Sequence, residues 1–143
     1  KVGTAAWTAL SPVDTSSPIT VPVAADSSGN LRIRAVSAVG KGTQSDLAAY
    51  STLLPAAPTA LIATPGSTQA SIAFTPGAAG AAAISNYQYQ DGAGAWTAFA
   101  PADTTSPVVV MGLTNGVQVA IKLRAISAVG NGAASAAVNV TPA

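Results

Sequence analysis

The feature that most constrains this chain is an internal repeat. The segment Ala6-Trp7-Thr8-Ala9-Leu10 returns as Ala95-Trp96-Thr97-Ala98-Phe99, and Thr15-Ser16-Ser17-Pro18 returns as Thr104-Thr105-Ser106-Pro107, both 89 positions on. Farther along, Arg34-Ala35-Val36-Ser37-Ala38-Val39-Gly40-Lys41-Gly42 returns as Arg124-Ala125-Ile126-Ser127-Ala128-Val129-Gly130-Asn131-Gly132, now 90 positions on. One residue has been gained between the two blocks. Solenoid repeats run ~20 to 50 residues, so this period is a whole domain. The chain of 143 residues therefore holds one complete copy and the back portion of another. The boundary falls at Leu54-Pro55-Ala56-Ala57-Pro58, where the prolines favour an extended, semi-rigid chain. The expected organisation is a partial domain at 1–54 with C-terminal strands only, a Pro-rich linker at 55–58, and a complete domain at 59–143.

Within the complete copy, short strands alternate with turn signals. Leu61 to Ala63 starts an edge strand that Pro65-Gly66 is expected to end. Ala70, Ile72 and Phe74 alternate with polar or small residues, the period of a half-buried strand. Ile84 to Gln90 alternates again and stops at Asp91-Gly92, a hairpin signal. Trp96 to Phe99 and Val108 to Met111 read as strands, the second closed by the Asn115-Gly116 turn. The longest run, Val117 to Ile126, puts Val117, Val119, Ile121 and Leu123 on one face, and Ala136 to Val140 reads as the last strand. Helical periodicity is absent over any useful length. The expectation is all-β, with the seven strands and two sheets of an immunoglobulin-like sandwich, present in tandem.

Composition then removes several function classes. The sequence has no cysteine, no histidine and no glutamate, so thiolate and imidazole chemistry are unavailable and a zinc or transition-metal centre has little to build on. No cofactor is expected. A net charge of +1 provides no electrostatic footprint for nucleic acid or an anionic membrane. Charged residues are only 8% of the chain, against roughly 25% in ordinary domains, so the surface is mostly Ala, Ser, Thr, Gly and Gln. Such a surface costs little to desolvate and suits packing against other copies or a neutral ligand. No apolar run approaches the ~18 residues of a membrane span, and no charged segment followed by an apolar one opens the chain. A soluble processed product, or a fragment of a longer protein, is expected.

Three stretches carry a family resemblance. Pro58-Thr59-Ala60-Leu61 followed by Thr64-Pro65-Gly66, the Gly112-Leu113-Thr114-Asn115-Gly116 turn, and Arg124 to Gly132 before the last strand resemble the fibronectin type III repeats of bacterial secreted and surface proteins. The resemblance covers residues 59–143 and, in residues 1–54, the back of the repeat. It implies a spacer or adhesion module, outside the cell or on its surface. Two positions depart from the family pattern. Phe74 stands where a buried Trp is usual, and Val119 stands where a Tyr hydroxyl usually pins a neighbouring loop. The loop at 129–134 has no Arg-Gly-Asp tripeptide, so integrin-type adhesion is not implied.

The residues that could carry function each have a packing alternative. Trp7 and Trp96 are sugar-stacking platforms or residues covering a sheet edge. Tyr87 and Tyr89 share a strand face and form either a ligand ladder or a packed pair. Gly40-Lys41-Gly42 and Gly130-Asn131-Gly132 mimic a phosphate loop but join two strands, with no helix N-terminus to receive an anion. Asp91 and Asp103 suit turn capping better than calcium. Without an imidazole base or a converging acid pair, the serines and threonines have nothing to activate them, and no enzyme is expected.

The partial copy lacks the counterparts of residues 59–90, which leaves Ile19, Val21, Leu31 and Ile33 uncovered. Either preceding residues of a longer chain complete it or another subunit donates the strands. Three functions fit these observations: a structural spacer repeat of an extracellular multidomain or filamentous surface protein; an adhesion or polysaccharide-binding accessory module; a decorating or fibre domain of a phage particle. The expected partners are other copies, neighbouring domains or a polysaccharide.

Overall fold

The computed structural model describes all residues, 1–143. It divides into two compact units, Lys1–Leu53 and Leu54–Ala143, and it contains strands but no helix.

The first unit has four strands: β1 (Ser28–Leu31), β2 (Arg34–Ser37), β3 (Gly40–Gln44) and β4 (Ala48–Ser51). β1 pairs with β4, and β2 pairs with β3, both antiparallel. None of its residues is buried.

The second unit begins with the edge strand β5 (Thr59–Gly66), followed by β6 (Gln69–Thr75), β7 (Ile84–Asp91) and the short β8 (Thr97–Ala98). Then come β9 (Val108–Met111), β10 (Val119–Ser127), β11 (Gly130–Asn131) and β12 (Val138–Val140). One sheet has the order β5-β6-β9; the other runs β11-β10-β7-β8, with β12 also paired to β10. β11 and β12 are two pieces of one final strand, so the seven-strand expectation holds with that strand interrupted. Alternate residues of both sheets point inward. Ala70, Ile72, Phe74, Val108 and Val110 come from the first sheet, and Tyr87, Ile121, Leu123, Ala125 and Val140 from the second, all in one core.

Four details depart from the sequence pattern. β5 runs on through Pro65, which pairs with Ala70; an edge strand tolerates proline because its missing N–H leaves no ladder partner unsatisfied. Val117 is 55% exposed because it sits in the preceding turn, its N–H donating to Thr114 O at 3.2 Å. The second piece of the last strand starts at Val138 rather than Ala136. Residues 55–58, read as a linker, are part of the second unit: Pro55 and Pro58 are fully buried, and Ala56 N donates to Ala78 O at 2.8 Å.

Two polar ties hold the ends of the strands. Asn115 Oδ1 accepts from Thr68 N at 2.6 Å, securing a non-glycine residue at φ 56° in the β5–β6 turn. Ser135 Oγ, buried, accepts from Leu123 N at 3.0 Å and donates to Ala136 O at 2.7 Å. It stands in for a strand partner where the last strand is interrupted. In the first unit Ser45 makes the same pair of bonds, to Ile33 N at 3.1 Å and Asp46 O at 2.9 Å, in an exposed setting. Ser135→Ala leaves a buried N–H without its acceptor, a cost of about 1–3 kcal/mol. Urea unfolding is expected to show that loss for Ser135→Ala and a change within about 0.5 kcal/mol for Ser45→Ala.

The Asp14 and Asp103 carboxylates cap equivalent turns. Asp103 Oδ1 accepts from Thr105 Oγ1 at 2.7 Å and Thr105 N at 2.8 Å, and Asp14 Oδ1 accepts from Ser16 in the same way. Bonds to the charged form favour it, so both carboxyls lie below the ordinary value of 3.8, Asp103 chiefly through the Thr105 hydroxyl. A lowered folded-state value means that the contribution to stability is present above the ordinary value and is lost as pH falls below it through the folded-state value. A carbon-detected NMR titration is expected to place the Asp103 inflection below 3.8 and to move it upward in Thr105→Ala.

Candidate functional site

The four aromatic candidates fall into two kinds of environment. Tyr87, on β7, is 1% exposed and meets Phe74 edge-on, ring centroids 4.7 Å apart and planes at 66°. Burial pushes its hydroxyl above the ordinary tyrosine value of 10.0. Tyr89, two residues on, packs against the same core, with its ring 5.2 Å from Phe99. The shared strand face was legible from their spacing. The structure makes it the inner face, so Tyr87 is closed to a ligand and both rings serve packing.

The tryptophans are different. Trp96 lies just before β8, half-buried, with the Arg124 guanidinium carbon 4.4 Å from a ring centroid. Arg124 is held in place because its Nε donates to Gln88 Oε1 at 2.7 Å, across the β7–β10 ladder where these residues are register partners. Lys122 and Gln90 are the next outward-facing partners on that ladder. The outer face of this sheet therefore presents a tryptophan, two cations and two amides. A stacked cation on an exposed ring contributes about 0.5–1 kcal/mol, enough to order the arginine stem but not to define a pocket. Trp7 and Arg34 repeat the stack at 4.0 Å in the first unit.

Gln88, Gln90 and Asn86 were not singled out in the sequence. Gln88 and Gln90 follow from alternation, as the outward neighbours of two inward tyrosines. Asn86 follows from no pattern: its Nδ2 donates to Phe99 O at 3.0 Å, while its Oδ1 accepts from Asp103 N at 3.0 Å and Tyr87 N at 2.8 Å. It fixes the β8 end of the sheet. The glycine loop at 130–132 joins β10 to the chain beyond β11 as an ordinary strand connection, and Ser127 Oγ donates to Gly130 O at 3.3 Å.

No family model matches the chain, and no curated protein matches it. Solved structures do. The FN5 domain of Drosophila Lar is 25% identical with a TM-score of 0.50, covering 63% of this chain and 99% of that one. A run of titin domains is 16% identical with a TM-score of 0.54, covering 67% of this chain and 36% of that one. The FN1-FN3 domains of chicken CNTN1 are 16% identical with a TM-score of 0.52, covering 85% of this chain and 44% of theirs. The chain thus spans less than half of the titin and CNTN1 segments. Two antiparallel sheets in this strand order, closed on one core and similar to these domains, give the chain the fold of a fibronectin type III β-sandwich.

Proposed function

We propose that the chain is a non-catalytic spacer segment of an extracellular multidomain or filamentous surface protein, packing laterally through low-charge sheet faces. The observation that carries this reading is the tandem recurrence of the same repeat, down to the Trp–Arg stack and the Ser45 and Ser135 ties. Fibronectin type III domains are commonly structural modules of multidomain proteins and typically non-catalytic, and two of the similar structures are runs of consecutive domains. No helix of the structure is long and apolar enough to cross a membrane. With charged residues at 8%, lateral association depends little on screening. Sedimentation at rising concentration is expected to show association that persists from low to high salt. A monodisperse monomer throughout defeats the packing part of the proposal.

The half-buried Trp96 beside Arg124 and Gln88 favours a second reading, a neutral polysaccharide laid along the outer face of the β7–β10 sheet. Saturable binding to an immobilised polysaccharide, lost in Trp96→Ala with the β-sheet spectrum unchanged, supports that reading. Binding that is unchanged in this variant removes it.

A further inference from the structure

The two sheets of the second unit turn different outer faces to solvent. On the β10 sheet, Lys122 and Arg124 project outward beside Gln90 and Gln88. On the other sheet, β5, β6 and β9 contain no charged residue: Thr59–Gly66, Gln69–Thr75 and Val108–Met111 are apolar, small or neutral polar throughout. Their outward side chains include three large apolar groups, Ile62 at 65% exposure, Val109 at 44% and Met111 at 69%.

The register gives the uncharged face its relief. Ile62 stands on the β5 edge opposite Ala73, and Val109 and Met111 stand on the β9 edge opposite Ser71 and Gln69. Ser71 and Ala73, outward residues of the middle strand, are small, so a shallow trough runs between two apolar ridges. Strand addition at the β5 edge is discouraged, because Pro65 removes a donor and the register shifts between Thr59 and Ile62, with Ala60 at φ 52°. What β5 offers a partner is the face rather than the edge.

Charge selects the occupant. Two copies of this unit can meet through their β10 faces, through one face of each kind, or through two β5-β6-β9 faces. The first arrangement sets Lys122 and Arg124 against like charges, and the second withdraws them from water with no anion to meet them. Only the third buries no charge. We propose that the outer face of the β5-β6-β9 sheet is an interaction surface for the same face of a second copy, with Ile62, Val109 and Met111 as its apolar anchors. The inference rests on the lateral-packing reading above, and it assigns the face and the stoichiometry. A patch that both partners use alike closes on itself, so association through it stops at pairs. Three strands about 4.8 Å apart and about 20 Å long present on the order of 300 Å² a side. That is well below the roughly 800 Å² per partner of a standard interface, so one pair is weak, and repeats joined in a chain hold through summed contacts.

Backbone-amide NMR of the intact 143-residue chain at rising concentration, with sedimentation of the same samples, tests this. The amides of Ile62, Ser71 and Met111 are expected to shift with concentration while those of Lys122 and Arg124 stay fixed, and the mass is expected to level at two chains. Met111→Lys and Ile62→Lys, each at an exposed position outside the core, are expected to weaken association at least about 10-fold, the scale of losing an interface anchor. Lys122→Gln is expected to leave it unchanged. Association that persists in both lysine variants, or shifts that fall outside this face, overturns the proposal and leaves the lateral-packing reading standing. Growth of the mass beyond two chains overturns it as well. A monomer at every concentration removes both.

Discussion

The structure depends on the contact between the inner faces of β6 and β7 and those of β9 and β10. Ile72 and Tyr87 cover Val108, Ile121 and Leu123, and every one of these side chains is essentially withdrawn from water. Full burial of a Val, Leu or Ile side chain is worth about 1.5–3 kcal/mol, so a handful of such residues rivals the whole net stability of a small domain. The chain contains its own control for this contact. In the first unit the equivalents of β9 and β10 are present and the equivalents of β6 and almost all of β7 are not. The Ile19 stretch then forms no strand, and the run that is continuous from Val119 to Ser127 is divided into β1 and β2. Strand formation here follows non-local pairing, as expected when β-propensity reports fit to a covered, pleated surface.

A second set of interactions does not need the core. The Trp–Arg stacks, the Asp14 and Asp103 turn caps, the Ser45 and Ser135 ties and the hydroxyl bonds of Ser37 and Ser127 recur in both units. The β1–β4 register, Gly29 opposite Tyr50 and Leu31 opposite Ala48, is also the β10–β12 register, Val119 opposite Val140 and Ile121 opposite Val138. These are short-range bonds or hairpin-like pairings within the back half of the repeat. They keep its shape where burial is missing. Architecture and cohesion are therefore separable in this chain: the back half encodes its own geometry, and the front half supplies the apolar cover.

Most of the fold was legible because alternation and turns report directly on a sheet with one buried face. Val108–Met111 and the alternating residues of β6 and β7 stood out for that reason, and Asp91-Gly92 marked its turn. The misses have a common cause. Pro65 lies inside a strand because β5 is an edge, a fact about topology rather than local sequence. Val117 continues the apolar alternation but is placed in the turn by the Thr114 bond. Pro55 and Pro58 look like a linker in composition but are buried, Pro55 against Gly132 far along the chain. Of the candidate site, the sequence displayed the four aromatics but could not separate them. Which face of β7 lies inward depends on what covers it, so Tyr87 and Trp96 looked alike until the core was placed.

Glycines in the loop of the second unit admit the chain that enters its first strand. A Cβ at Gly132 would stand 2.5 Å from Pro55 O, and one at Gly130 would stand 3.0 Å from Leu54 Cδ2. The absence of side chains at these positions lets residues 54 and 55 lie directly against the loop, and Ala133 N donates to Pro55 O at 3.1 Å. At Gly42 a Cβ would find nothing closer than Ala35 O at 3.6 Å, and at Gly40 nothing within 4 Å. Gly42, without a positive φ to accommodate, has no steric reason in this chain to be glycine.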